Sequence, residues 1–249
     1  YILVVEGSIP TGADGAYCTI AGESAMVDCK KLVQNAAATI CVGSCSSFGG
    51  IPAAAPNPTN AVSVSSLVPG AAIINLPGCP VNATNLTATI VHFMTFGKLP
   101  AVDRLGRPKF AYGKRIHDNC ERRGHFDAGQ YAEAFGDAAH RQGHCLYKLG
   151  CKGPESFHNC PSVRYNEGIS WPVMAGHGCI GCSEPGFWDT MSPFYRRLPK
   201  VPGFGIEDTA DKIGIGLAAA TAVAFGVHGV ASCFRKGDAM EEDKVVKED

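Results

Sequence analysis

The sequence predicts an α/β fold: a parallel-sheet domain, then an irregular cysteine-rich region, then one C-terminal helix long enough to span a membrane. Three observations lead there. In the first hundred residues, short β-branched apolar runs at 2–5, 40–42 and 73–76 alternate with helical patterns. The next hundred hold six of the 12 cysteines but no long periodic segment. Residues 213–234 are a stretch of 22 without a formal charge.

Each apolar run closes on a Gly or Pro turn, as buried parallel strands do. Met26, Cys29, Val33, Ala36 and Ala37 mark one face of a helix, and Leu86, Ile90 and Phe93 mark a second, opened by Asn82 or Thr84. Strand alternating with helix argues a parallel sheet, whose ligands sit beyond the carboxyl ends of the strands. Cys45 follows the second run through Gly43-Ser44, and Cys79 follows the third through Pro77-Gly78. Because Tyr1 leads straight into a strand, the chain is read as lacking its true N-terminus.

A 45% hydrophobic share supports a packed core, and a net charge of −1 excludes a nucleic-acid footprint or a polybasic membrane surface. The cysteine count points to metal before disulfides. Between 100 and 199, Gly, Pro, Asn and His recur every few residues, so bound metal is the expected source of stability. That region contains His117, Cys120, Cys145, Cys151, Cys160, Cys179 and Cys182. The Cys179–Cys182 pair alone suits zinc, a redox dithiol or an iron-sulfur cluster. Seven soft donors exceed the four of one tetrahedral zinc, so the region needs two centres, and Cys45 with Cys79 adds a third. A series of separate thiolate sites suits electron transfer, for which zinc has no redox chemistry.

Residues 213–234 are long enough to cross a bilayer at about 1.5 Å per residue. Asp208 and Asp211 precede them, and Arg235 and Lys236 follow, so the tail is expected in the cytoplasm and the body on the outer, periplasmic side. Gly214, Ala218, Ala222 and Gly226 form a small-residue stripe suited to helix packing, and His228 lies within the span. The competing reading is a Gly/Ala-rich helix buried in a soluble core.

An ordered set of motifs resembles the small, electron-transferring subunit of nickel-iron hydrogenases of the membrane-bound uptake type. They are Val5-Glu6-Gly7, Gly43-Ser44-Cys45-Ser46, Pro56-Asn57-Pro58, Pro77-Gly78-Cys79-Pro80, Gly106-Arg107-Pro108, His117-Asp118-Asn119-Cys120, Cys145-Leu146-Tyr147, Gly150-Cys151-Lys152-Gly153-Pro154, Asn159-Cys160-Pro161, Ala175-Gly176-His177 and Cys179-Ile180-Gly181-Cys182-Ser183-Glu184. The resemblance implies a flavodoxin-like domain over 1–99 without its first β-α portion, and an iron-sulfur domain over 100–199. A linker over 200–211, a membrane anchor over 212–235 and a charged tail over 236–249 complete the expected organisation. It further implies three clusters. His117, Cys120, Cys145 and Cys151 would hold a distal 4Fe-4S cluster, its histidine near the surface. Cys160, Cys179 and Cys182 would hold a medial 3Fe-4S cluster, with Pro172 standing where a fourth ligand would be. Cys45 and Cys79 would be two of four ligands to a proximal 4Fe-4S cluster. The implied partners are a nickel-iron large subunit, where H2 is split, and a membrane cytochrome b or quinone that takes the electrons. Gly50 stands where oxygen-tolerant members carry an extra cysteine, which implies an oxygen-sensitive enzyme.

Cys29 and Cys41 read as buried thiols. Cys18 and Cys233 match no ligand position. Glu6 is expected to face the proximal site, Arg122-Arg123 to form a solvated basic face, and His177 to orient its loop. His92, His125, His140, His144 and His158 are expected to be surface or structural side chains. Two other functions fit parts of the pattern: a zinc-stapled binding module, and the cluster-bearing component of a quinone-reducing complex.

Overall fold

The computed structural model describes residues 1–197 and 215–232. Residues Tyr1–Pro199 form one compact unit and Lys200–Asp249 a second.

Three strands make the main sheet. β1 (Ile2–Glu6) leads to two small antiparallel pairings, of β2 (Ile9–Pro10) with the later β6 (Ala61–Val62), and of β3 (Thr19–Ile20) with β4 (Glu23–Ser24). α1 (Ala25–Asn35) is capped by the Ser24 hydroxyl, which accepts from Met26 N–H at 3.2 Å. The helix stops at Asn35 because Ala36 is already extended, turning the chain into β5 (Ala38–Val42). Ala36 and Ala37 therefore belong to the turn, not to the apolar face of the helix. After β5 come α2 (Gly43–Phe48), α3 (Val64–Leu67), β7 (Ile73–Leu76) and α4 (Ala83–Phe96). Asn82 caps α4, its Oδ1 accepting from Thr84 N–H at 3.0 Å and Asn85 N–H at 3.4 Å, and Gly97 closes it in the left-handed conformation.

The sheet order is β1-β5-β7, all parallel, with Val4 opposite Ile40 and Ile40 opposite Ile74. β5 is central and buried throughout. β1 is an edge strand, and Val4 is 47% exposed, which corrects the expectation of a fully buried first strand. Side chains alternate across the sheet. Ile40, Val42, Ile74 and Leu76 pack with Tyr112, Leu86 and Ile90 on one face, and Cys41 packs with Ile9, Cys29, Val33 and Val64 on the other.

Between residues 100 and 197 the α-helices are single turns: α5 (Lys109–Tyr112), α6 (Arg123–Asp127), α7 (Ala138–Arg141), α8 (Cys160–Val163) and α9 (Phe187–Thr190). Their core joins Ile116, Ala132, Leu146, Leu149, Trp171 and Val173 with Cys160 and Cys179 themselves. Polar ties hold this region to the sheet domain. Asn85 and Asn159 exchange amide hydrogen bonds at 2.9 Å, and Asn82 Nδ2 donates to Arg164 O at 2.6 Å. Buried Arg107 pairs with Asp103 at 2.8 Å and Glu184 at 2.9 Å.

In the second unit, Ile215–Ser232 is a helix of mean hydropathy 1.6, long and apolar enough to cross a membrane by length and composition. The expected linker over 200–211, Gly214, Cys233, the flanking charges and the tail over 236–249 lie outside the described residues.

Candidate metal centres

Two groups of soft donors each line one cavity. The larger, about 350 Å³, is bordered by Cys160, Cys179 and Cys182, with Pro172, Trp171 and Cys79 also on its wall. Pro172 contributes no side-chain donor, and four thiols line the wall, Cys79 being the one that comes from the end of β7. Local backbone geometry explains their convergence. Gly181 adopts a φ of +79°, and a Cβ there would run into Met191 Sδ, so only glycine turns the chain between Cys179 and Cys182. Gly181 N–H donates to Cys179 Sγ at 3.3 Å.

The second cavity is lined by His117, Cys120, Cys145 and Cys151. His117 sits on a short 3-10 turn, Ile116–Asn119, that delivers Cys120 beside it. It is buried, with half-buried Phe126 of α6 edge-on at 4.6 Å. Arg122 departs from the expected solvated face. It is buried, its N–H donates to Cys120 Sγ at 3.4 Å, and its Nη1 donates to His144 O at 2.8 Å. Arg123 does face solvent, pairing with Asp127 at 2.8 Å.

Cys45 and Cys79 meet at the carboxyl ends of β5 and β7. Ser44 locks their loops together: its N–H donates to Gly78 O at 3.0 Å and its hydroxyl accepts from Gly78 N–H at 2.9 Å. The same hydroxyl donates to Cys182 O. Glu6 ends β1 opposite Val42, at the same edge of the sheet as the loop that carries Cys45. Gly50 has a φ of +63°, and a Cβ there would overlap Cys45 Sγ. Cys29 and Cys41 stay in the sheet core and join no group.

The three groups adjoin in series. Cys79 lines the same cavity as Cys182, and Ser44, bonded to the Cys79 loop, donates its hydroxyl to Cys182 O. Cys179 N–H donates to Cys151 Sγ at 3.3 Å. A backbone amide of one group thus reaches a sulfur of the next at the second junction, and a shared cavity wall joins the first pair.

Burial is the largest influence on these groups. It pushes the Cys120 thiol up to about 11 and those of Cys145 and Cys160 up to about 12, and it raises Cys151, Cys179 and Cys182 as well. Burial, followed by the charge of Arg123, holds His117 down to about 4, so its ring is a neutral donor at pH 7. Neutral imidazole and buried thiols that lose their protons on binding are the donor chemistry of a thiophilic metal. One histidine and three thiols around one cavity, and four thiols including Cys79 around the other, are donor sets that fit iron-sulfur clusters; Cys45 lies beyond the end of β5.

Of the histidines expected to be structural, His140 Nε2–H donates to Gly176 O (2.7 Å) and His125 Nδ1–H to Gln130 Oε1 (2.6 Å). His177 contacts Gly178 O at 2.8 Å, beside the Cys179 loop it is expected to orient. His158 is different: it is buried on the wall of the larger cavity, its Nδ1 3.0 Å from Cys160 Sγ. Nothing in its sequence neighbourhood marks it out.

A parallel sheet that delivers cysteines from its strand ends to a serial array of thiolate sites defines the class of iron-sulfur electron-transfer proteins. Comparison with known proteins gives the family. Residues 112–195 match the C-terminal family of the NiFe/NiFeSe hydrogenase small subunit, and residues 1–93 match the NADH ubiquinone oxidoreductase 20 Kd subunit family. The quinone-reactive Ni/Fe-hydrogenase small chain of Wolinella succinogenes is 51% identical over 244 residues, covering 95% of this chain and 69% of that one. The uptake hydrogenase small subunit of Azotobacter vinelandii is 49% identical over 236 residues, covering 95% and 66%. The structure of a reduced, active Ni-Fe-Se hydrogenase from Desulfomicrobium baculatum superposes with a TM-score of 0.73 at 35% identity, covering 80% of this chain and 76% of that one. The chain belongs to the nickel-iron hydrogenase small subunit family, and it spans about two thirds of the length of these curated relatives.

Proposed function

We propose that this chain is the electron-transferring small subunit of a membrane-bound, H2-oxidising nickel-iron hydrogenase, with H2 split in a separate large subunit. In this reading His117, Cys120, Cys145 and Cys151 hold a distal 4Fe-4S cluster, Cys160, Cys179 and Cys182 a medial 3Fe-4S cluster, and Cys45 and Cys79 contribute to a proximal 4Fe-4S cluster. When bound, such clusters supply one-electron carriers between the large subunit and a membrane cytochrome b or quinone. The observation that supports this best is the adjacency of the donor groups: Cys179 N–H donates to Cys151 Sγ, and Cys79 lines the cavity of Cys160, Cys179 and Cys182.

The chain's own residues bury the thiols, exclude water and fix the donor loops. Ser44 ties the Cys45 and Cys79 loops to Cys182. Cys45 and Cys79, at the strand ends, belong to the face that receives the large subunit. Ile215–Ser232 is the anchor, its C-terminal end toward the cytoplasm, which leaves the body on the periplasmic side. Gly50 beside Cys45 accords with an oxygen-sensitive enzyme. Anaerobic purification with the large subunit tests the reading: iron and acid-labile sulfide should be present, and Cys120→Ala and Cys179→Ala should each lower both and reduce H2-dependent dye reduction. Zinc without sulfide would overturn it.

A further inference from the structure

We propose that His158 is a positioning residue of the medial site, its Nδ1–H donating a hydrogen bond to the sulfur of Cys160 and raising the reduction potential of the cluster held there. This rests on the assignment of Cys160 to that cluster made above.

The ring is 2% exposed, and its Nδ1 lies 3.0 Å from Cys160 Sγ. Its other nitrogen, Nε2, is buried without a hydrogen-bond partner among the described residues. The sulfur is therefore the one polar contact of a ring fully removed from water, a burial that is costly unless the bond is made. A coordinating thiolate can only accept, so the proton belongs on Nδ1. The ring is also held in place. Tyr112 meets it edge-on at 4.8 Å, Tyr112 OH is fixed by Pro77 O at 2.8 Å, and Arg107 lies 5.5 Å over the Tyr112 ring. On the backbone side, Phe157 N–H donates to Glu184 Oε1 at 2.7 Å. The same Arg107 bonds that carboxylate, so one buried network grips His158 from both sides. A fixed donor to a ligand sulfur stabilises the more negative, reduced state of a cluster.

The test is an EPR-monitored redox titration of the anaerobically purified complex, comparing wild type with His158→Leu and His158→Asn. The Asn amide nitrogen stands as far from Cβ as Nδ1 does, so His158→Asn keeps a donor at the same place. His158→Leu should lower the equilibrium constant for reducing the medial cluster about tenfold, equivalent to about 59 mV for a one-electron couple. The distal potential should stay in place, and His158→Asn should recover most of the shift. A His158→Leu complex with full iron content and an unmoved medial potential overturns the proposal. Should that variant fail to assemble, ¹⁵N-histidine labelling of the wild type decides: a histidine nitrogen coupling to the medial EPR signal supports the bond, and its absence overturns it. Iron and sulfide analysis separates the underlying assignment, since a Cys160→Ala complex with an unchanged medial signal would sink the assignment itself.

Discussion

Gly178 is the tightest joint between two of the donor groups, and Gly178→Ala is the sharpest test of how they are packed. A Cβ at this position would meet Cys151 Cα at 2.9 Å, its Cβ at 3.0 Å and its N at 3.1 Å, where ordinary contacts begin at 3.4 Å. Two of these are backbone atoms of a proposed ligand, so no side-chain rotation relieves the overlap. The Cys179 loop must move away from Cys151 by several tenths of an ångström, and the Cys179 N–H to Cys151 Sγ bond at 3.3 Å stretches with it. Overpacking of this kind costs about 1–3 kcal/mol. The reduced entropy of the unfolded chain returns about 0.4–1 kcal/mol. The middle of the two ranges gives a net loss of about 1.3 kcal/mol, a fall in apparent Tm of about 3–5 °C for a domain of this size. Gly124→Ala is the control, because a Cβ there meets nothing within 4 Å and the position lies in α6 beside the same site. It should leave Tm unchanged or raise it. Scanning calorimetry of the anaerobic complex at one scan rate reads both, and a Gly178→Ala protein melting within a degree of wild type would refute this account of the joint.

Removing Arg107 strands two carboxylates that are each less than one quarter exposed, so Arg107→Met should cost about 3–5 kcal/mol in urea unfolding, with Arg107→Met/Glu184→Gln costing less than the sum of the singles. Asn82→Ala removes the α4 cap, at about 1 kcal/mol, and leaves the Arg164 carbonyl unpaired, at about 1–3 kcal/mol, so a loss of about 2–4 kcal/mol is expected in the same assay. Cys41→Ala, in the sheet core, should destabilise by about 1 kcal/mol yet leave iron content at the wild-type level; a drop in iron would reassign Cys41 as a ligand.

The elements visible in the sequence are those whose cause is local. Ile73–Leu76 reads directly as a strand, and α4 is framed by Asn82 at one end and Gly97 at the other. β1 reads as fully buried and is not, because its apolar run says nothing about which edge of the sheet it occupies. For the site, the spacing of soft donors shows that more than one centre is needed, but their division into groups comes from the family resemblance, since Cys-x2-Cys arithmetic cannot say which distant thiols meet. Long-range polar pairs are invisible at that level. Arg107 and Glu184 are 77 residues apart, and no local pattern joins them. His158 sits two residues before Cys160 and reads as an ordinary structural histidine; only the packing of Tyr112 against it turns its Nδ1 toward the sulfur.

The same packing bears on how the irregular half of the body is stabilised. No helix between residues 109 and 190 exceeds five residues, and two of the core positions there are Cys160 and Cys179. Protonated, these thiols behave as small hydrophobes and cost the core little, and burial raises their pKa accordingly. As thiolates without a metal they would be uncompensated buried charges, which a core built of single-turn helices could not accommodate. On the proposed assignment of Cys160 and Cys179, the two compatible states are a protonated packed one and a metal-bound one, and loss of a proton without gain of metal is disfavoured. Cluster loading should then be coupled to proton release and to folding at once. The glycine contacts at 178 and 181 become the places where that coupling is transmitted, because they fix the Cys179–Cys182 loop against Cys151 on one side and Met191 on the other.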